Sequence, residues 1–425
     1  MTIYRATVLD TPLDPFIGGT LRSEQDGGLL VEDGVITARG SFAEVRRDNP
    51  DEPVEHLDGG LLLPGFVDTH VHFPQVRAIG GLGMPLLEWL ERCPLPEEAK
   101  LVDRSYAEGT ADDFVRSLVH AGTTSALVFG AHFVPAVDAL FTRAARSGLR
   151  ITTGLVLSDR ILRGDLLTTR DAALAGSHEL AKKWHGTGQA RYAVTPRFSL
   201  SCSDDMMTVS SELLQEIPDA WFTSHVNENT SEVEQVEQLF GTSYVGSYER
   251  HGLLGRRSVL AHNVHAKDEE LATLARTETG VAHCPTSNSA LGSGMFPLKR
   301  HLEHGVKVAF GTDVGGGTGF SMFKEGLQGY FMQQLQGSDG APLTPAHLLH
   351  LATSAGAAML QRDEVGDFSV GKHFDAVWLR GADDSALQIN LRNALDTDNA
   401  LAKAFALGGD DAVSGVWIDG DRVKG

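Results

Sequence analysis

Residues Pro64-Gly65-Phe66-Val67-Asp68-Thr69-His70-Val71-His72-Phe73-Pro74-Gln75 decide how the rest of the chain is read. Phe66 and Val67 follow the apolar run Leu61-Leu62-Leu63 and predict a buried strand entering a core. Side chains alternate along a strand, so His70 and His72 project to the same side at its end. Two neutral imidazoles on one face can share a metal ion. A lone His-x-His is as readily a pair of half-buried polar residues. Its weight comes from its place, after a strand and before a long loop rich in glycine and proline.

Downstream of that loop, helical and extended patterns alternate. Helices are expected over 107–121, 135–147, 170–185, 204–216, 230–240, 267–276 and 297–304. Strands are expected over 122–129, 150–157, 191–195, 221–225, 258–262, 280–283 and 306–313. With the His-x-His strand these make the eight of a (β/α)8 barrel, whose chemistry collects at the C-terminal strand ends. The termini read differently. Residues 3–8, 29–32, 35–38 and 55–63, and again 370–379 and 412–420, look like strands and hairpins, with Asp33-Gly34 as a turn. The expected architecture is α/β: a TIM barrel over residues 65–365, carrying a small β-sandwich domain formed from both termini, 1–64 plus 366–425.

Composition narrows the partners. Against 56 Asp and Glu stand 36 Lys and Arg, a formal net charge of −20, which repels phosphate backbones and argues against a nucleic-acid substrate. No apolar run approaches the ~20 residues of a membrane span. Residues 1–19 hold Arg5, Asp10 and Asp14 with no clean apolar stretch, so no signal peptide is expected. Cys93, Cys202 and Cys284 are odd in number and widely spaced, which fits a reducing compartment. The cytoplasm is the expected location.

Several predicted strands end on groups that bind metal or ionise: His70 and His72, then His225, His262 and Asp313. In a barrel these tips converge on one mouth. Three histidines and an aspartate suit Zn²⁺, with Fe²⁺ able to replace it. Glu228 follows His225-Val226-Asn227, just past a strand tip, where it could exchange protons with a substrate. The plain alternative is a first-turn carboxylate favoured by the dipole of helix 230–240.

On these residues the chain resembles the amidohydrolase superfamily. The segments are Pro64–His72, Ala261-His262, His283-Cys-Pro-Thr-Ser-Asn288 and Gly311-Thr-Asp313. Within it the chain is similar to the guanine deaminase family, through Pro85–Leu90, Thr195–Ser201, Ser224–Asn229, Gly311–Gly316 and Gln75 three residues after His72. The resemblance implies one zinc per subunit on His70, His72, His225 and Asp313, with Glu228 as proton shuttle and His262 holding the attacking water. It implies a purine held by Gln75, Arg197 and Phe198 beside His225, Glu228 and Asp313, and usually a homodimer. Asn227 and Thr286 depart from the family pattern. The chemistry is consistent: guanine offers a carbonyl to the Arg197 guanidinium, an edge of mixed polarity to the Gln75 amide and a face to Phe198. Glu88 and Trp89, in the long loop after the first barrel strand, either line the mouth or pack the loop, and Trp89 is read as structural.

The expected reaction is hydrolysis of guanine to xanthine and ammonia. The alternative is a deaminase of another aminated heterocycle, such as 8-oxoguanine, a pterin or a triazine. A two-metal cyclic-amide hydrolase would need a bridging lysine near the end of strand four, and Arg191–Phe198 has none. The His-x-Glu and Pro-Cys-x-x-Cys pattern of polynucleotide deaminases is also absent.

Overall fold

The computed structural model describes residues 1–425 and contains two sheets. The N-terminal strands are β1 (Thr2–Asp10), β2 (Arg22–Glu32), β3 (Val35–Ser41) and β4 (Val54–Pro64). The barrel follows with β5 (Phe66–His72), β6 (Thr123–Phe129), β7 (Arg150–Thr153), β8 (Val156–Leu157) and β9 (Arg191–Pro196). It continues with β10 (Trp221–Val226), β11 (Ser258–His262), β12 (Gly280–His283) and β13 (Val308–Phe310). The chain ends with β14 (Ala376–Leu379), β15 (Val413–Ile418) and β16 (Asp421–Lys424).

The barrel strands are parallel in the order β5-β6-β7-β9-β10-β11-β12-β13, with β8 pairing to β9. The predicted strand 150–157 is thus split. A Cβ on Gly154 would sit 1.8 Å from the Ala193 carbonyl oxygen, so the chain passes β9 too closely there for regular pairing. The predicted strand 306–313 stops at Phe310, because Asp68 of β5 takes over its backbone partners. The Asp68 carboxylate accepts from the amides of His70 (3.2 Å) and Thr312 (3.0 Å) and from the Thr312 hydroxyl (2.5 Å). With Asp313 N donating to His70 O at 2.8 Å, these bonds close the barrel between its first and last strands.

The loop expected after β5 instead contains two short helices, Leu86–Arg92 and Pro94–Ala99. Proline at the first position of the second is compatible because that N–H needs no helical partner. Leu86 and Trp89 pack on Leu291 and fix this segment over the mouth.

The terminal strands form one seven-stranded sheet, β16-β15-β14-β4-β1-β2-β3. It folds over on itself as a sandwich does. The β2–β3 turn at one edge meets the β15–β16 turn at the other: Phe374 N donates to Gly34 O (2.7 Å) and Gly420 N to Phe374 O (3.0 Å). Tyr4, Phe374 and Trp417 fill the fold, Tyr4 and Phe374 stacking at 4.5 Å. Of the predicted strand 370–379, residues 376–379 form β14, while 371–373 meet β3 through a single bridge between His373 and Val35. Two helices, Ala386–Arg392 and Thr397–Leu407, interrupt this β-rich end. The second places Phe405 against Phe323 of the barrel-side helix Met322–Leu335. One apolar core spans both sheets, joining Leu61, Leu63, Val377 and Val416 to Phe66 and Phe141. Each such side chain contributes about 1.5–3 kcal/mol on burial. Arg150 of β7 adds a buried charge contact, donating to Asp375 at 2.8 Å and to Asp419.

Candidate active site

The C-terminal ends of β5, β10 and β11 and the turn after β13 meet at one point. His72 Nε2 lies 3.1 Å from His225 Nε2 and 3.1 Å from Asp313 Oδ1. His70 Nε2 lies 3.2 Å from the same oxygen. Ligands about 2.1 Å from a tetrahedral ion stand about 3.4 Å apart, so these separations fit a single cation. Ligand atoms of His70, His225, His262 and Asp313 also lie within 4.8 Å of one another. His262 Nε2 is nonetheless 3.8 Å from Asp313 Oδ2 and 3.5 Å from Glu228 Oε2.

The backbone holds these groups at some cost. His262 (φ 75°) and Asp313 (φ 46°) both adopt the left-handed conformation. Side chains disfavour it, and it often marks functional sites. Neighbours set the ring orientations. His225 Nδ1 donates to the Arg197 carbonyl (2.6 Å) and His262 Nδ1 to Asn288 Oδ1 (3.1 Å), so each Nε2 keeps its lone pair towards the centre.

The electrostatics suit metal binding. Burial pushes His72 down to about 4, His70 down, and His225 well down. The imidazoles are therefore neutral, the form that binds a cation. Burial opposes ionisation of Asp313, but His70 and His72 hold its carboxyl well below the usual range. Glu228 moves the other way: burial, then the Asp313 charge, raise it well above an ordinary glutamate. Two carboxyls with pKa values driven apart are the mark of divided acid and base roles.

These groups form one side of a small cavity at the mouth of the barrel. Gln75, Arg197 and Phe198 line it too, and Leu86, Trp89, Leu90 and Leu291 make an apolar cover. Gly315 allows the last turn to close on Gln75; a Cβ there would lie 2.1 Å from Gln75 Oε1.

The proposed metal-holding, proton-transfer and purine-holding residues all come to this cavity or its floor, and Trp89, read as structural, joins its lining. Glu88 does not: it is exposed and paired with Arg92. Asn227 and Thr286 turn away from the cavity, Asn227 donating to Asn263 and Glu270 and Thr286 to Glu325. His283 is buried against Phe296 (ring centroids 4.2 Å apart).

Three acidic groups at the site have no part in the sequence reading. Asp68 shares the side of the strand used by His70 and His72, so alternation pointed to it. Glu232 lines the cavity, where burial and then Glu228 raise it to about 7; its Asn229-x-x-Glu232 capping pattern signalled only a helix start. Glu98, in Pro96-Glu97-Glu98, had no signal at all. It is buried and receives Arg197 Nη1 (2.6 Å) and Gln75 Nε2 (2.8 Å), with His132 Nε2 at 3.4 Å.

Residues 61–423 match the sequence profile described as "Amidohydrolase family", and residues 27–51 match "Imidazolonepropionase-like composite domain, bacteria". The chain is 56% identical over its whole length to a probable guanine deaminase of Deinococcus radiodurans, covering 98% of that protein. It is 36% identical to the guanine deaminase of Escherichia coli, over 98% of this chain and 94% of the other. The solved E. coli guanine deaminase superposes with a TM-score of 0.95 at 35% identity, covering 99% of both chains. A guanine deaminase from C. acetobutylicum with guanine in its active site superposes with a TM-score of 0.90 at 27% identity, again over 99% of both chains.

Proposed function

This chain belongs to the amidohydrolase family, and on that footing we propose that it hydrolyses guanine to xanthine and ammonia. The observation that carries the reading is the single cavity. One wall is the donor cluster with Glu228, and another is Arg197, Gln75 and Phe198, the polar and aromatic surface a purine base needs. The full-length likeness to guanine deaminases supports guanine over other heterocycles.

His70, His72, His225 and Asp313 would hold one zinc ion per subunit, Fe²⁺ being the alternative. The fit rests on their spacing, their neutral rings and the unpartnered, buried His70 Nε2. When bound, the ion supplies Lewis acidity and brings the pKa of water from ~16 towards ~7. The protein groups do the rest. Arg197 donates to the guanine carbonyl, Gln75 meets the neighbouring edge, and Phe198 stacks on the ring. Water adds at C2, the carbon bearing the exocyclic amine, as Asp313 or Glu228 accepts its proton. The Glu228 carboxyl gives a proton to the adjacent ring nitrogen, and His262 Nε2 accepts from the added hydroxyl. The added hydroxyl then passes its proton through Asp313 to the exocyclic amine, the bond from C2 to that amine breaks, ammonia leaves and the carbonyl of xanthine remains.

The odd count and wide spacing of Cys93, Cys202 and Cys284 support a reducing location such as the cytoplasm. No helix is long and apolar enough to cross a membrane. The family likeness supports a homodimer. An ammonia-release panel with zinc-loaded protein over guanine, 8-oxoguanine, adenine, cytosine and pterins tests the function. Guanine should give the highest kcat/KM; a higher value for any other base would overturn the assignment.

A further inference from the structure

We propose that Glu98 sets which ends of Gln75 and Arg197 meet the substrate, and so makes the cavity select a ring edge with an N–H donor beside a carbonyl acceptor. This rests on the deaminase reading above and adds a positioning residue to it.

Glu98 has few options. It is buried, and its two oxygens are divided between two partners: Oε1 accepts from the Gln75 amide nitrogen at 2.8 Å and Oε2 from Arg197 Nη1 at 2.6 Å. A carboxylate that accepts from an amide must take its nitrogen end. Gln75 Nε2 is accordingly turned towards Glu98 and lies 3.2 Å from His72 Nδ1. Gln75 Oε1 is left buried and without a partner. Since Gln75 lines the cavity, the end it can offer a ring is an acceptor. Arg197 is anchored through one nitrogen and has only N–H donors to offer with the rest.

Burial opposes a charge on Glu98, but Arg197 and then His132 hold its carboxyl well below the ordinary range. The polarity of the wall is therefore fixed: an acceptor at Gln75 and donors at Arg197. Guanine, with N1–H beside C6=O, satisfies both. 2,6-Diaminopurine, which carries the same C2 amine, has an amine and an unprotonated N1 on that edge and satisfies neither. A site built around buried hydrogen-bonding groups rejects a mismatched analogue because its own groups are left unpaired.

The test compares zinc-loaded wild type, Glu98→Gln and the isosteric double variant Gln75→Glu/Glu98→Gln on guanine and 2,6-diaminopurine, with metal content and thermal midpoint measured for each. Glu98→Gln frees the Gln75 amide to turn over. Its preference for guanine should fall by about ten- to a hundredfold, chiefly through KM, with metal content unchanged. The double variant returns an acceptor to position 75 and should recover the preference to within about tenfold of wild type. A preference unchanged in Glu98→Gln, with both substrates slowed alike, would reduce Glu98 to scaffolding and overturn the proposal. If Glu98→Gln fails to fold, the double variant decides: a guanine preference retained there supports the proposal, and one lost refutes it. Wild-type protein inactive on guanine would instead refute the reading on which the proposal stands.

Discussion

His225 Nδ1 donates a 2.6 Å hydrogen bond to the backbone carbonyl of Arg197. One residue thus orients a ring of the donor cluster with its main chain and lines the cavity with its side chain. The two duties separate on mutation. Arg197→Lys keeps the carbonyl and a positive charge beside Glu98, but loses the planar fork. Metal content should be unchanged and kcat/KM for guanine should fall by about ten- to a hundredfold. Loss of zinc in this variant, measured by metal analysis, would contradict the separation.

His72 and His262 both face the donor cluster, and the proposed reaction gives them different work. His72→Ala should lose the ion and, with it, activity. His262→Gln should retain close to one zinc per chain while turnover drops sharply. Elemental analysis of the purified variants checks this, and the reverse pattern would exchange the two roles.

Glu228→Gln keeps the shape of the side chain and removes its proton chemistry. Zinc should stay bound, while kcat falls by on the order of 10²–10⁴-fold. Unimpaired steady-state kinetics would remove Glu228 from the mechanism.

Glu325 offers a pH test away from the cavity. Its carboxyl accepts from the Thr286 amide (2.9 Å) and hydroxyl (2.6 Å), yet burial, outweighing these bonds, raises it from 4.5 to about 8. Between those values the folded chain keeps a proton that the unfolded chain has released. The contribution of Glu325 to stability is therefore complete below about 4.5 and is lost as the pH rises to about 8. Glu325→Gln is neutral throughout and should unfold in urea with a shallower pH dependence over that interval. Parallel profiles for the two proteins would show that Glu325 does not titrate there.

The sequence by itself determined the barrel and which residues gather at its mouth. Strand alternation and strand ends are local properties, so His70, His72, His225, His262 and Asp313 could be assigned to the mouth from spacing alone. Tertiary structure decided what depends on contacts between distant segments. The choice between Glu88 and Glu98 is the clearest case: both lie in the segment after β5, and both are carboxylates near aromatic or apolar neighbours. Glu98 turns inward because its short helix packs where Arg197 and Gln75 arrive, while Glu88 faces solvent beside Arg92. Closure of the barrel through Asp68 and Thr312 likewise joins residues 244 positions apart, and no local pattern encodes that meeting. In the terminal sheet the strands and their union from both termini were legible, whereas the order in which they pair was not. Periodicity records which way a side chain points along its own strand, whereas the partner it finds is set by how separate segments pack.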